Sequence, residues 1–417
     1  MATEATRARI EVMALDRWEA ASDATLAAIT HVDLDADDAA PAAVERALAL
    51  LEDRQPALRG LGLRAQLGAI AAGLTARPQL AARITHLELR AFDFGRTQRG
   101  TYDNLYAPTA AWLAVLRALP RLEALDLRRP DLSSDAAVDG LLTALGEAPA
   151  LAELRLDLHG CPPTSLGLLA LLGRLSPARL RRLALRDGIV GAGPASASDF
   201  VVFEELELFN IRLTRSDAAR LTTALAGAPL RRLWLTDVEP AALVDLARAP
   251  ALAGLHALTY TGLDDARAAS LADAPFIPTL RALDLTNGTL TAAGLRDLLG
   301  DHGDYALRDL NLTRCPIADA GLDLLAASPL LAGLERLTLD GCGIKGAGVK
   351  RLCAAPAPLQ LRELVLSNNK LGVTGARALA GWHRASALAR VALRSPGIPP
   401  KGRALLEASP LAGALEL

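Results

Sequence analysis

The stretch "LRELVLSNNKLGVTGARALAG" starts at Leu361. Twenty-seven residues earlier the chain reads "LERLTLDGCGIKGAGVKRLCA", and 27 before that "LRDLNLTRCPIADAGLDLLAA". A fixed period of this size constrains the fold more than any other feature, because it means one small unit is stacked many times. The common frame is LxxLxL, then a small or polar residue three positions on. It starts at Leu280, Leu307, Leu334, Leu361 and Leu388. Towards the N-terminus it continues with looser spacing, from Leu255, Leu230, Phe203, Leu180, Leu151, Leu122, Ile84, Leu58 and Ile29. A final "AGALEL" starts at Ala412. The chain therefore holds about fifteen units.

Each unit has two halves. In LxxLxL two leucines lie two apart, the period of a strand with one buried face. The second half, as in "ADAGLDLLAASP", has helical spacing and stops at proline. Gly294, Gly321, Gly348 and Gly375 recur near the helix starts, which predicts close packing between neighbours there. Strand, helix, strand in alternation makes adjacent strands parallel. One unit cannot bury its own leucines, so the units must stack. The expected fold class is an α/β solenoid with a parallel sheet on one face and helices on the other.

The LxxLxL runs, the GLxxL helices, and Cys315, Cys342 and Asn369 at one fixed position resemble the leucine-rich repeat family, in particular its ribonuclease-inhibitor-like class. The resemblance spans residues 29 to 417. It is strongest in the C-terminal repeats and weaker where Gln66, Phe92, Pro130 and His159 hold the Cys/Asn position. It implies a horseshoe whose concave face is lined by strands, and protein binding far more often than catalysis.

Two units depart from the period. About eleven extra residues lie between Ile84 and Leu122, near "GRTQRGTYDNLYAP", and the unit after Leu180 carries a Gly/Ala/Ser stretch where a helix is due. Residues 1–28 are expected to form a helical cap that covers the first core with Ile10, Met13 and Trp18. Residues 29–417 are expected to form a single repeat domain, with an insertion near 95–106.

Composition excludes rather than assigns. The net charge of -2 points to neither nucleic acid nor an anionic membrane. No apolar signal core opens the chain and no run of ~18 apolar residues occurs, so a cytoplasmic protein is expected. The excess of Arg over Lys reads as the coding bias of a GC-rich bacterial genome. The four cysteines form no CxxC pair and no disulfide framework. No GxSxG, HExxH or phosphate-binding GxxxxGK[ST] is present. No enzyme, cofactor or small-molecule ligand is expected.

In each unit three residues face away from the core: the one before the middle leucine and the two flanking the last leucine. The outermost row is rich in Arg in the N-terminal half and in Thr from Thr236 to Thr313, the latter read as structural. Phe209 and Trp234 fall on this face on successive strands, with Arg182, Arg186 and Arg232 around them and Glu205 and Glu207 alongside. Aromatic and Arg side chains are the usual anchors of protein interfaces, so this group is the expected partner site. Arg96, Arg99, Tyr102 and Tyr106 in the insertion form a second expected contact element. A third arrangement is a slot over Gly60 and Gly62, ~9.6 Å wide, walled by His31, Asp33, His86 and Glu88. It reads either as a divalent-metal site or, more plainly, as two half-exposed histidines beside a glycine-weakened strand.

The leading functional reading is a non-enzymatic scaffold that binds another protein on its concave face. The alternative is a regulator of a small GTPase. The GTPase-activating protein for Ran is similar in fold, and Arg96 or Arg99 would then supply charge in trans. This sequence lacks that relative's acidic tail.

Overall fold

The computed structural model describes residues 7–11, 29–35, 40–64, 67–90, 109–130, 132, 134–159, 167–174, 179–191, 202–299, 305–355, 360–383, 387–394 and 397–417. The chain divides into two compact units, Met1–Phe209 and Asn210–Leu417, each an all-parallel stack described by itself.

Among the described residues the first unit holds eight strands in chain order: β1 (Arg7–Glu11), β2 (His31–Asp35), β3 (Gly60–Arg64), β4 (His86–Arg90), β5 (Ala124–Arg128), β6 (Glu153–Asp157), β7 (Arg182–Arg186) and β8 (Glu205–Phe209). Every neighbouring pair is parallel. The register joins like to like. Val32, Leu61, Leu87, Leu125, Leu154, Leu183 and Leu206 form one continuous inward row, each at most 2% exposed. Burial of that row, at about 25 cal/mol per Å2 of apolar surface, is what a lone unit cannot achieve.

The expected helical cap is corrected at its only described part. Residues 7–11 are a strand, aligned parallel with β2 so that Ala8 meets Val32 and Ile10 meets Leu34. "RARIE" has the two-residue alternation of a half-buried strand, and pairing satisfies backbone groups that a helix would leave uncovered on the edge of β2. Met13 and Trp18 lie outside the described residues.

The second unit holds β9 (Arg232–Leu235), β10 (Ala257–Tyr260), β11 (Ala282–Asp284), β12 (Asp309–Asn311), β13 (Arg336–Thr338), β14 (Glu363–Val365), β15 (Arg390–Ala392) and β16 (Leu415–Glu416), again parallel and in chain order. Leu283, Leu310, Leu337 and Leu364 are mutual partners at successive steps of 27. The expected cysteine position is a hydrogen-bonded ladder. Cys315 Sγ donates to the Leu285 carbonyl (2.9 Å) and Cys342 Sγ to that of Leu312 (3.0 Å). Asn369 Nδ2 donates to Leu339 (2.7 Å) while its Oδ1 accepts from Ile344 N (3.0 Å). Each side chain thus satisfies a carbonyl of the preceding repeat.

The helix-start glycines answer the same need. Asp265 accepts from Thr291 N (2.7 Å), and Asp319 from Lys345 N (2.7 Å), so each holds the residue that precedes the next repeat's helix. A Cβ at Gly294 would lie 2.3 Å from Asp265 Oδ1, and one at Gly348 would lie 2.6 Å from Asp319 Oδ1. Only glycine leaves the carboxylate in place.

Among the described residues one buried side-chain amide is unsatisfied. Gln55 closes the helix Pro41–Arg54 and is 1% exposed, yet neither Oε1 nor Nε2 of its amide has a hydrogen-bond partner among the described residues. Such a group costs roughly 1–3 kcal/mol. Gln55→Met, nearly equal in shape, is therefore expected to raise the denaturant midpoint by a stabilisation of about 1–3 kcal/mol. A lower midpoint would show that the amide is hydrogen-bonded after all.

Candidate functional site

The outward face of the first unit carries a groove of about 330 Å3 running from β2 to β8. Its floor is made of positions with little or no side chain: Gly60, Gly62, Ala124 and Ala184. Its walls are charged, and the charges are met by one another. Arg128 holds Glu88 (2.8 Å) and Asp126 (3.0 Å). Hydrogen bonding to Asp126 raises the Arg128 pKa above the ordinary guanidinium value. Arg182 bridges Glu205 (3.0 Å) and Glu153 (3.4 Å). Arg155 reaches Glu207 at 3.5 Å, two strands away. The span passes over Ala184, whose small side chain leaves the path open. Exposed pairs of this kind add about 0–1 kcal/mol each. Their effect here is to fix a pattern of alternating sign.

Phe209 ends β8. The Arg186 guanidinium lies 4.7 Å above its ring centroid, a cation–π contact, and the same guanidinium approaches Asp157 (3.8 Å) and Asp187 (3.6 Å). Four of the expected partner-site residues thus form two separate pairs at opposite ends of β7 and β8, Arg182 with Glu205 and Arg186 with Phe209, and Glu207 is tied to Arg155. Arg232 and Trp234 belong to the second unit. There Trp234 Nε1 donates to Thr261 Oγ1 at 3.2 Å, which fixes the half-buried indole. Arg96, Arg99, Tyr102 and Tyr106 lie outside the described residues.

At its Gly60 end the slot over β3 is covered from within. His31 lies over Gly60, where a Cβ would fall 1.9 Å from His31 Cδ2. Its ring meets that of His86 edge to face, with centroids 5.6 Å apart. Among the described residues no group of three or more His, Cys, Asp or Glu side chains is placed to hold a metal ion.

On the second unit the threonine row serves the fold. Thr236 Oγ1 accepts from Asn210 N (2.6 Å), and Thr313 Oγ1 donates to Asn311 Oδ1 (2.6 Å). Asn311 Nδ2 donates in turn to Asp284 (2.9 Å). Farther along, Arg390 binds Glu363 and both oxygens of Glu416 (2.8 and 3.0 Å), and holds the Glu416 carboxyl below the ordinary carboxylate range. Burial pushes the Cys342 thiol up to about 12, so it stays protonated at neutral pH and is no nucleophile.

Sequence reasoning missed three features. A residue with positive φ follows the strand in most repeats: Arg129, Asp187, Asn210, Asp237, Asn287, Arg314 and Asn368, with Gly262 and Gly341 in the same phase. The recurrence of Asn, Asp and Gly two places after the last core position was the available signal. His31 and His86 were placed on opposite walls of the slot, but their direct ring contact was not, and "TH" at Thr30-His31 and Thr85-His86, at one register two strands apart, was its signal. The Trp234–Thr261 bond needed the strand pairing to be visible.

A Leucine Rich repeat family model matches residues 307–326 and 360–380, the two stretches in which the sequence pattern is fullest and whose strands, β12 and β14, both pair with β13 in the predicted 27-residue register. Both stretches are leucine-rich repeats. Among solved structures, this chain is similar to an internalin (inlF) from Listeria monocytogenes, at 18% identity and a TM-score of 0.40, over 71% of this chain and 81% of that one. It is also similar to the Rad7 and Elc1 complex of yeast, at 15% identity and a TM-score of 0.46, over 94% of this chain and 84% of that one. No curated protein matches it in sequence. Among the described residues no helix is long and apolar enough to cross a membrane.

Proposed function

We propose that this protein is a non-enzymatic scaffold that binds another protein on its sheet face, and that Arg182, Arg186, Glu205, Glu207 and Phe209 are central to that contact. The observation that carries the reading is the aromatic ring of Phe209 on the outward side of a parallel sheet, under the guanidinium of Arg186 at 4.7 Å. Strands hold these side chains in place before any partner arrives, so little freedom is lost on docking. Aromatic and Arg groups with a polar surround are the side chains that concentrate binding energy. Trp234 and Arg232 supply a second anchor of the same kind on the other unit, and the insertion residues Arg96, Arg99, Tyr102 and Tyr106 a third element.

The fixed mosaic of ion pairs favours a protein surface of matching sign over a nucleic acid or an anionic membrane, whose charge is of one sign. The reading assigns no role to a cofactor or a small molecule, and includes a cytoplasmic location and the ribonuclease-inhibitor-like class. Affinity capture from native extract, with wild-type and Phe209→Ala chains as baits, tests it. A protein held by the wild type and lost from the variant supports the sheet face. Equal capture by both baits moves the contact elsewhere.

A further inference from the structure

We propose that the helix side of the C-terminal repeats, over residues 345–407, is a docking surface for an acidic, Asp/Glu-rich segment of a partner protein, separate from the sheet face. Charge is unevenly placed along the chain. Residues 345–417 hold eleven Lys and Arg against three Glu and no Asp, whereas residues 1–344 hold 34 Lys and Arg against 44 Asp and Glu. The net charge of -2 therefore conceals a basic C-terminal stretch behind an acidic remainder. An asymmetry of this kind marks a region that meets a polyanion.

Within that stretch the sheet side is neutralised and the helix side is not. Glu363 and Glu416 are both held by Arg390, and Glu416 also by Arg394 at 3.3 Å. Of the three carboxylates only Glu407 stands on a helix. The helices are Gly346–Cys353, Gly372–Ala380 and Pro400–Glu407. They pack side by side: a Cβ on Gly375 would lie 3.2 Å from Gly346 Cα, and one on Gly402 would lie 3.1 Å from Ala376 Cβ. The repeat length carries Lys350 and Arg377, 27 residues apart, to the same exposed position on the first two helices. Lys345 and Lys370 pair across the turns that enter them, and Lys401 stands in the first turn of the third. All five side chains are exposed, and none has a carboxylate partner among the described residues. The preceding repeat offers Asp319 and Asp323, and Arg351 holds both. A cation at a helix N-terminus opposes the helix dipole, so the fold gains nothing from Lys345 or Lys401 where they stand.

Residue type points to the ligand. Of the 45 Lys and Arg in the chain only four are Lys, and all four lie on this surface. An ammonium is a mobile point charge, suited to carboxylates at irregular spacing, while the guanidinium fork is the group that reads phosphate geometry. In a chain that elsewhere uses Arg, Lys at these positions fits Asp and Glu side chains. Trp382, the only Phe, Trp or Tyr of the stretch, is 5% exposed, so no ring is offered for base stacking. Among the described residues from 345 to 407 no large apolar side chain is exposed for insertion into a bilayer.

The test uses a fluorescent oligoglutamate peptide and the full chain, its lysines carrying isotope-labelled methyl groups, which keep the charge. Because every lysine lies on the proposed surface, every lysine signal reports on it. At about 0.15 M salt the peptide is expected to shift these signals. Lys350→Glu combined with Arg377→Glu is expected to weaken peptide binding about tenfold or more. Arg248→Glu, just past the helix Pro240–Ala247 of an earlier repeat, is expected to change it by less than about twofold. Lysine signals that do not move in the unsubstituted chain overturn the proposal whether or not the double variant folds. So does an equal loss in Arg248→Glu. Tighter binding of a DNA duplex, or of phosphatidylserine vesicles, than of oligoglutamate also overturns it, and assigns the surface to phosphate instead.

Discussion

Leu310→Ala is expected to destabilise the second unit by about 2–5 kcal/mol, the cost of emptying a fully buried leucine site. Leu310 is 0% exposed and is the register partner of both Leu283 and Leu337, so the void would open between three repeats at once. Chemical denaturation of the variant measures it, and a near-neutral result would mean that Leu310 is not part of the inward row. A companion experiment removes the whole repeat 307–333. Because Leu283, Leu310 and Leu337 are equivalent, the deletion leaves Leu283 facing Leu337 in the same register. A soluble, shorter chain that still unfolds cooperatively is expected. Aggregation would contradict the 27-residue frame.

The strand frame was legible because leucine spacing reports burial directly. Among the described residues fifteen strands fall where LxxLxL placed them, including the weak ones at Ile29, Leu58 and Ile84. The sixteenth, Arg7–Glu11, escaped because "RARIE" is short and lacks leucine, and a short amphipathic segment fits a helix or a strand until a partner edge is known. The outward direction of Phe209 and Trp234 was likewise legible from alternation. Which charges meet was not. The reach of Arg155 over Ala184 to Glu207 depends on a small residue on the intervening strand, and the packing of His31 over Gly60 on a glycine in another repeat. Both are relations across strands, carried by register and not by neighbouring residues. The Gly60–Gly62 slot was read as open, whereas His31 lies over its Gly60 end. A glycine in a strand marks close approach, and here what approaches is the chain's own side chain.

The buried thiols show the same limit. Cys315 and Cys342 stand at one fixed position of the repeat, and the structure adds that each sulfur is a donor to the repeat before it. The family resemblance located the position, and the ladder supplies the physical reason that Cys and Asn alternate there: both can reach a carbonyl one strand away, and a purely apolar side chain would leave that carbonyl unsatisfied.

Partner binding on the sheet face is the central claim, and the most direct measurement is affinity and melting temperature together for Phe209→Ala and Trp234→Ala, using the captured partner. Phe209 stands under Arg186, and Trp234 is tied by its Nε1–H to Thr261, so both rings are fixed yet outward. Truncating an anchor of this kind costs about 2 kcal/mol or more in binding, close to thirtyfold in Kd, while an outward ring contributes little to the core. The account predicts a weakened complex with nearly unchanged melting for each variant. Intact affinity with a lowered melting temperature would contradict it, and would show that the rings hold the repeats together and that the partner binds elsewhere.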